Sequence, residues 1–228
     1  MSTPTLFAHR GARAFAPENT LSAFALAVEM GASWIELDVY RVDSSLIVIH
    51  DERVDRTTNG TGWIWDHSLT ELRALDAGKG EKIPLLEEVL ETVDRRAGLN
   101  IELKGLGTAK PVAQMLREAV KSGWSTDQFI ISSFYHRELR KFSELAPEFQ
   151  RAALTMSVPE TYAEFAQKLG CQAVHASIEF LDPDFIADAH GRGLEFRVYT
   201  VNHPEELDRT RRLGVDAVFT DNPGLTLP

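Results

Sequence analysis

The chain has 228 residues, with 24 Lys and Arg against 34 Asp and Glu, and a net charge of −10. That acidic balance excludes a protein built chiefly to hold a nucleic-acid backbone, because such affinity comes largely from Lys and Arg. It leaves room for a small phosphate ligand in a local basic pocket. With 43% hydrophobic residues the chain fills a real core, which excludes disorder. Cys171 is the only cysteine, so no intrachain disulfide is possible and a reducing compartment is expected. The first residues lack the basic start and long apolar region of a signal peptide, and no run approaches the ~18 apolar residues of a membrane span. A cytoplasmic protein with no membrane span is the expectation.

Short apolar runs alternate with helical patterns from end to end. Strands are predicted over 6–9, 34–40, 46–50, 99–104, 129–134, 152–155, 173–176, 194–201 and 217–220. Helices are predicted over 20–30, 86–96, 110–122, 136–145, 159–169, 182–190 and 204–213. Gly31, Gly98, Gly123, Gly170, Gly191 and Gly214 stand where helix C-caps are expected, and Pro159 and Pro204 suit a first helical turn. Strand alternating with helix means crossover units and a parallel sheet. No G-x-G-x-x-G turn follows the first strand, so a doubly wound dinucleotide fold loses its main support. The expectation is one α/β domain over 1–228, a closed TIM (β/α)8 barrel of the usual size of roughly 250 residues, with the run over 46–50 as an offshoot of the second strand. The segment 51–84 is too long for a βα loop. It holds the turn residues Asn59, Gly60 and Gly62 and a short helical pattern over 68–75, and is expected to be a small insertion after the second strand, capping the barrel mouth.

In such a barrel the chemistry sits at the C-terminal ends of the strands. The first strand ends in His9-Arg10-Gly11, the second carries Glu36-Leu37-Asp38, the offshoot ends in His50-Asp51, and the third ends in Glu102-Leu103-Lys104. Side chains alternate faces along a strand, so Glu36 and Asp38 share one face and Glu102 and Lys104 share another. The intervening leucines belong against the outer helices, and the charged residues point into the mouth. A single Glu-x-Asp on a strand is commonly an ion pair with a neighbouring cation. Three carboxylates converging there repel one another unless a divalent cation joins them, and all-oxygen ligands favour Mg2+ or Ca2+.

His9 and His50 flank this cluster, and their ordinary pKa near 6.5 lets them exchange protons at neutral pH. His67, His136, His175, His190 and His203 read as structural or solvated. Three carboxylates, a divalent ion, Arg10 and Lys104 leave one positive charge, which a phosphodiester would neutralise. Arg10 would give it a forked contact and Lys104 a point charge.

The run His9-Arg10-Gly11, Pro17-Glu18-Asn19-Thr20, Ala27, Gly31-Ala32, Glu36-Leu37-Asp38-Val39 and His50-Asp51 resembles the signature of the glycerophosphodiester phosphodiesterases. Arg56-Thr57-Thr58-Asn59-Gly60, Leu75-Asp76-Ala77-Gly78, Ile101-Glu102-Leu103-Lys104, Ser133-Phe134, Thr200-Val201-Asn202 and Thr220-Asp221-Asn222-Pro223 extend the resemblance over nearly the whole chain. It implies a TIM barrel, a divalent ion on Glu36, Asp38 and Glu102, and His9 and His50 as acid–base pair. It also implies cleavage of glycerophosphodiesters to glycerol 3-phosphate and an alcohol, with water or the glycerol 2-hydroxyl as nucleophile. Arg10, Lys104, Glu18, Asn19 and Tyr199 are the expected substrate-binding residues. Two departures stand out: Asp43 is followed by Ser44 where the family has glycine, and Tyr199 stands where the family has Trp. Two rival expectations are a phospholipase D-like enzyme for lysophospholipids, with Trp63, Ile64 and Trp65 lining an apolar entrance, and a non-catalytic binding barrel.

Overall fold

The computed structural model describes residues 3–227; residues 1, 2 and 228 of the expected domain lie outside it. The chain runs β1 (Thr5–Ala8), α1 (Leu21–Glu29), β2 (Trp34–Val42), β3 (Ser45–Val48), α2 (Leu69–Ala74), α3 (Leu86–Val93), β4 (Gly98–Leu103), α4 (Ala109–Lys121), β5 (Phe129–Ser133) and α5 (His136–Leu145). It continues through β6 (Gln150–Thr155), α6 (Glu164–Lys168), β7 (Ala173–Ser177), α7 (Pro183–Gly191), β8 (Glu195–Tyr199), α8 (Pro204–Leu213) and β9 (Ala217–Thr220). The strands lie in the order β1-β9-β8-β7-β6-β5-β4-β2-β3, and β1 pairs with β2 to close the ring. Every pair is parallel except β2–β3, so eight strands form a (β/α)8 barrel and β3 is a hairpin offshoot of β2.

Alternation along each strand divides the residues between two environments. Leu37, Val39, Leu99, Ile101 and Leu103 point outward and are fully buried against the helices, in the main apolar core. The inward face begins with rings at the N-terminal end, where Phe7 stacks on Trp34 at 5.2 Å, and ends in ionisable groups at the other. Gly98, expected to cap a helix, instead opens β4 directly opposite Trp34, and a Cβ there would lie 2.5 Å from the indole. α3 stops earlier, because Asp94 and Arg95 take left-handed backbone at φ 43° and 63°. Gly191 is likewise the last residue of α7, and Gly193 supplies the positive φ, whereas Gly31, Gly123, Gly170 and Gly214 do sit left-handed at helix ends. The helix expected over 159–169 shrinks to α6, since Tyr162 at φ 48° breaks the first turn.

The two-residue turn of the β2–β3 hairpin forms without glycine, with Asp43 at φ 53°. Tyr40 and Val42 of β2, with Ile47 of β3 and Ile49, lie on the face that carries Glu36 and Asp38. Val54, Ile64, Leu72, Ala77 and Ile83 of the 51–84 segment bury against them as a second, smaller core. Ser68 starts α2 with a capping box: its hydroxyl accepts from the Glu71 amide, and Glu71 accepts from the Ser68 amide. Of the three residues expected to line an apolar entrance, Ile64 is inside this core. Trp63 and Trp65 are exposed and stacked on each other at 5.0 Å.

His175 lies on β7 inside the barrel, 1% exposed, where its Nε2 accepts from Arg197 at 3.4 Å. Burial first, and Arg197 second, push its pKa well below the usual histidine range. The folded protein therefore keeps His175 neutral while the unfolded chain protonates it below about pH 6.5. Stability from this group is present above that pH and lost below it. His175→Gln should remove a loss of about 1.4 kcal/mol per pH unit between pH 6 and 5. Denaturant midpoints of the two proteins at pH 7.5 and 5.5 measure this, and parallel losses in both would refute it.

Candidate active site

The register of β2 and β4 sets Asp38 beside Glu102 and Glu36 beside Asn100. One carboxylate oxygen from each of Glu36, Asp38 and Glu102 falls within 4.8 Å of the others, and all three residues are buried. Burial first, and Asp38 second, raise Glu36 well above the ordinary carboxylate range and lift Glu102 to about 7. Three like charges this close cannot all ionise without a cation. The donor set, all oxygen and buried, fits a hard divalent ion. One further atom points the same way: Asn100 Oδ1 is buried in this pocket without a partner, while its Nδ2 donates to Ser132 Oγ at 3.0 Å.

Cations already lean on the triad. Lys104 Nζ lies 3.1 Å from Glu102 and 3.9 Å from Asp38 and donates to His50 Nε2 at 3.2 Å. Burial alone would lower the Lys104 pKa, but Glu102 and Asp38 outweigh it and hold the ammonium charged. Arg10 sits at φ 55°, just before Gly11 at φ 80°, where a Cβ would lie 2.7 Å from the Ala23 backbone. This left-handed pair aims the Arg10 amide at Glu36 Oε2, 3.0 Å away, and the guanidinium toward Asp38, with Nε at 3.4 Å.

Both histidines are held by carboxylates through the same ring atom. His9 Nδ1 donates to Asp221 at 2.7 Å, and His50 Nδ1 donates to Asp51 at 2.5 Å. In each neutral ring the lone pair then sits on Nε2: that of His50 accepts from Lys104 at 3.2 Å, and that of His9 is left for other work. Burial is the largest influence on both and lowers both pKa values, against the pull of Asp221 and Asp51. Arg56, from the insertion, donates to Asp51 and to both oxygens of Glu18, and Glu18 also pairs with Arg10 and Arg13. Arg13 in turn reaches Asp221 at 3.7 Å. A chain of ion pairs therefore joins the two histidine anchors, and it holds the Glu18 carboxyl far below its ordinary range.

The pocket at the triad is lined by His9, Arg10, Glu36, His50 and Glu102 together with Phe134, Leu154, Tyr199 and Phe219. Tyr199 is fixed there by its hydroxyl, which donates to the Thr155 carbonyl at 2.8 Å, and by the edge of Phe134. Of the expected substrate-binding residues, Arg10 and Tyr199 line this pocket, and Lys104 contacts His50, Glu102 and the Phe134 ring, which also line it. Glu18 and Asn19 stand behind it: Asn19 Nδ2 donates to Asp38 at 2.9 Å, and Glu18 is enclosed by arginines. Sequence reasoning did not single out Asp221 or Asn100 as site residues. Asp221 directly follows the last strand, where βα loops carry function, and that position was the available signal.

A closed barrel with its ionisable residues gathered at the carboxyl ends of the strands defines an enzyme of the TIM-barrel class. The model of the glycerophosphoryl diester phosphodiesterase family matches residues 9–225. The chain belongs to that family. It is 36% identical over 228 residues to the glycerophosphodiester phosphodiesterase of Caldanaerobacter subterraneus subsp. tengcongensis, covering 96% of this chain and 94% of that one. The Oleispira antarctica phosphodiesterase, solved in complex with the product sn-glycerol-3-phosphate, superposes with a TM-score of 0.89 at 33% identity over 97% of this chain and 94% of its own. The glycerophosphodiester phosphodiesterase from Agrobacterium tumefaciens gives a TM-score of 0.79 at 34% identity, covering 96% of this chain and 97% of that chain. Among the described residues no helix is long and apolar enough to cross a membrane.

Proposed function

We propose that the protein hydrolyses glycerophosphodiesters to glycerol 3-phosphate and a free alcohol, with His9 and His50 as the acid–base pair and a Mg2+ or Ca2+ ion on Glu36, Asp38 and Glu102. One observation carries this reading: two histidines, each bound at Nδ1 by a carboxylate, flank one buried carboxylate triad. A divalent ion held by the triad would polarise a phosphoryl oxygen. Arg10 and Lys104 orient the phosphate and meet the charge that develops on it. One histidine takes the nucleophile's proton at Nε2, and the other, as imidazolium, gives one from Nε2 to the leaving oxygen. Asp221 and Asp51 keep both rings in the tautomer this requires. Glu18 and Asn19 act as positioning residues for Arg10 and Asp38. The 51–84 segment covers the mouth in this reading, supported by its packing on the hairpin face that continues from Glu36 and Asp38.

Turnover of a panel of glycerophosphodiesters, followed by release of glycerol 3-phosphate, tests the reading. Hydrolysis of several members is expected, and no turnover of any member in the presence of Mg2+ or Ca2+ would overturn it. A second reading, hydrolysis of lysophospholipids in the same site, is favoured by the apolar rim. Phe15, Trp65, Leu106, Tyr135, Met156 and Phe180 are all exposed, and each sits on a different loop at the mouth. Faster turnover of lysophosphatidylcholine than of glycerophosphocholine would select it.

A further inference from the structure

The two histidines are anchored alike, but their anchors are held differently. Asp221, behind His9, is fixed within the barrel's own βα loops. Asn202, on the loop after β8, donates its Nδ2 to Asp221 Oδ2 at 2.9 Å, and its Oδ1 accepts from the Asp221 amide at 2.9 Å. Asp51, behind His50, has another kind of hold. Among the described residues its carboxylate bonds to His50 and Arg56 alone, and Arg56 comes from the insertion.

The turn that carries Arg56 is itself pinned. The Val54 carbonyl accepts from the Thr58 amide at 3.0 Å and from the Thr58 hydroxyl at 2.7 Å, and Val54 is fully buried in the smaller core. From this base the guanidinium forks. Its Nε donates to Asp51 Oδ2 at 2.5 Å, and Nη1 and Nη2 donate to the two oxygens of Glu18 at 2.8 and 2.7 Å. Each of its three nitrogens is committed to a carboxylate. A planar guanidinium can clamp two carboxylates in one geometry, whereas a lysine ammonium is a point charge on a flexible stem.

Burial would raise the Asp51 pKa, but the bonds from Arg56 and His50 outweigh it and keep the carboxyl ionised. Loss of Arg56 would free Asp51 more than it frees Arg10. Glu18 still pairs with Arg10 at 2.7 Å, and Arg10 still has Asp38 at 3.4 Å. Asp51, with its side chain 28% exposed, keeps His50 alone and can turn to water. The loss therefore falls on proton transfer and spares the grip on phosphate.

We propose that Arg56 is a positioning residue for His50: its fork locks the Asp51 carboxylate against Nδ1 of the ring, so that the proton chemistry of His50, and not that of His9, depends on the insertion. The proposal rests on the phosphodiesterase reading and adds to it a residue whose partners are carboxylates outside the triad. It also gives the 51–84 segment a part in the chemistry that packing over the mouth does not supply.

Arg56→Gln should lower kcat on a glycerol diester about tenfold, with KM within about twofold of wild type, a part of the ~10²-fold that a 1 Å misplacement can cost. Arg56→Lys restores the charge without the fork and should stay impaired by about fivefold or more. The Arg56 side chain is 45% exposed, so both variants should keep the barrel folded, read by circular dichroism. Arg53→Gln, on the same insertion and paired with Asp55, is the control and should keep wild-type kcat. In an Asp51→Ala background Arg56→Gln should cost less than about twofold, because the group it holds is gone. On an aryl phosphodiester Arg56→Gln should follow His50→Ala, rescued where that variant is rescued and impaired where it is impaired. Wild-type kcat in Arg56→Gln or Arg56→Lys, an equal loss in Arg53→Gln, the full cost in the Asp51→Ala background, or an aryl-ester response opposite to that of His50→Ala would each overturn the positioning role and leave the phosphodiesterase reading intact. Failure of the wild type to turn over any glycerophosphodiester would overturn that reading and take the positioning role with it.

Discussion

Stripped of divalent cations, the enzyme is expected to lose about 10³-fold in turnover, the several kcal/mol that an ion on a phosphoryl oxygen supplies, and to recover with Mg2+ or Ca2+. The physical ground is the crowding of Glu36, Asp38 and Glu102, which raises Glu36 well above its ordinary range and Glu102 to about 7. The sign of the pH dependence follows. In the metal-free protein Glu102 binds a proton more tightly than it does unfolded, so its stabilising contribution is complete below its unfolded pKa of about 4.3 and is lost as pH rises through 7. Metal binding needs the deprotonated carboxylates and runs the other way. The rise in melting temperature on adding Mg2+ or Ca2+ should therefore grow from pH 5 to pH 8, and affinity should tighten by up to tenfold per pH unit until about pH 7. Glu102→Gln removes one charge and one ligand. It should flatten that pH dependence and weaken the ion while the barrel stays folded, read by calorimetric titration and circular dichroism. Full activity in chelator, or unchanged affinity in Glu102→Gln, would refute the assignment.

The triad was legible in the sequence because strand alternation needs no tertiary knowledge. Glu36-Leu37-Asp38 and Glu102-Leu103-Lys104 each put a leucine on the helix side and two charges inside, and the structure buries Leu37 and Leu103 completely. Partners set by barrel closure were less accessible. Asp221 is 212 residues from His9 along the chain, and the two meet only because β9 pairs with β1. Gly98 looked like a helix cap because glycine is common there, but the ring of Trp34 across the sheet excludes any side chain. Pro159 was expected in a first helical turn but lies outside any helix, because Tyr162 in left-handed backbone postpones the helix to Glu164, which composition does not announce. Glu18 and Asn19 were expected at the substrate from the family resemblance, but their partners are the arginines and Asp38.

The two histidines should prove equally indispensable on a glycerol diester: His9→Ala and His50→Ala are each expected to lower kcat by ~10²–10⁴, the usual range for removal of a general acid or base. Each ring is fixed by one short bond, His9 to Asp221 and His50 to Asp51, so both work through Nε2. Neither offers an atom to the carboxylate triad, and metal affinity should survive both substitutions. The double variant should be far less than multiplicatively worse, because removing either member already disables the pair. Asp221→Asn keeps a hydrogen bond but lets the amide donate to Nδ1, which favours the wrong tautomer. It should cost a sizeable part of the His9 effect with little change in KM. The roles separate through the leaving group. An aryl phosphodiester expels a phenolate that needs little protonation, so it should rescue whichever single variant lacks the acid and leave the variant lacking the base impaired. Burial lowers both pKa values, so the protonated form needed by the acid is the scarcer one at neutral pH. The acid limb of the kcat/KM profile should accordingly lie at or below pH 6.5, with activity on glycerol diesters falling as the acid deprotonates above its own pKa. Rescue of both single variants by the aryl ester, or near-normal kcat in either on a glycerol diester, would remove the two-histidine mechanism.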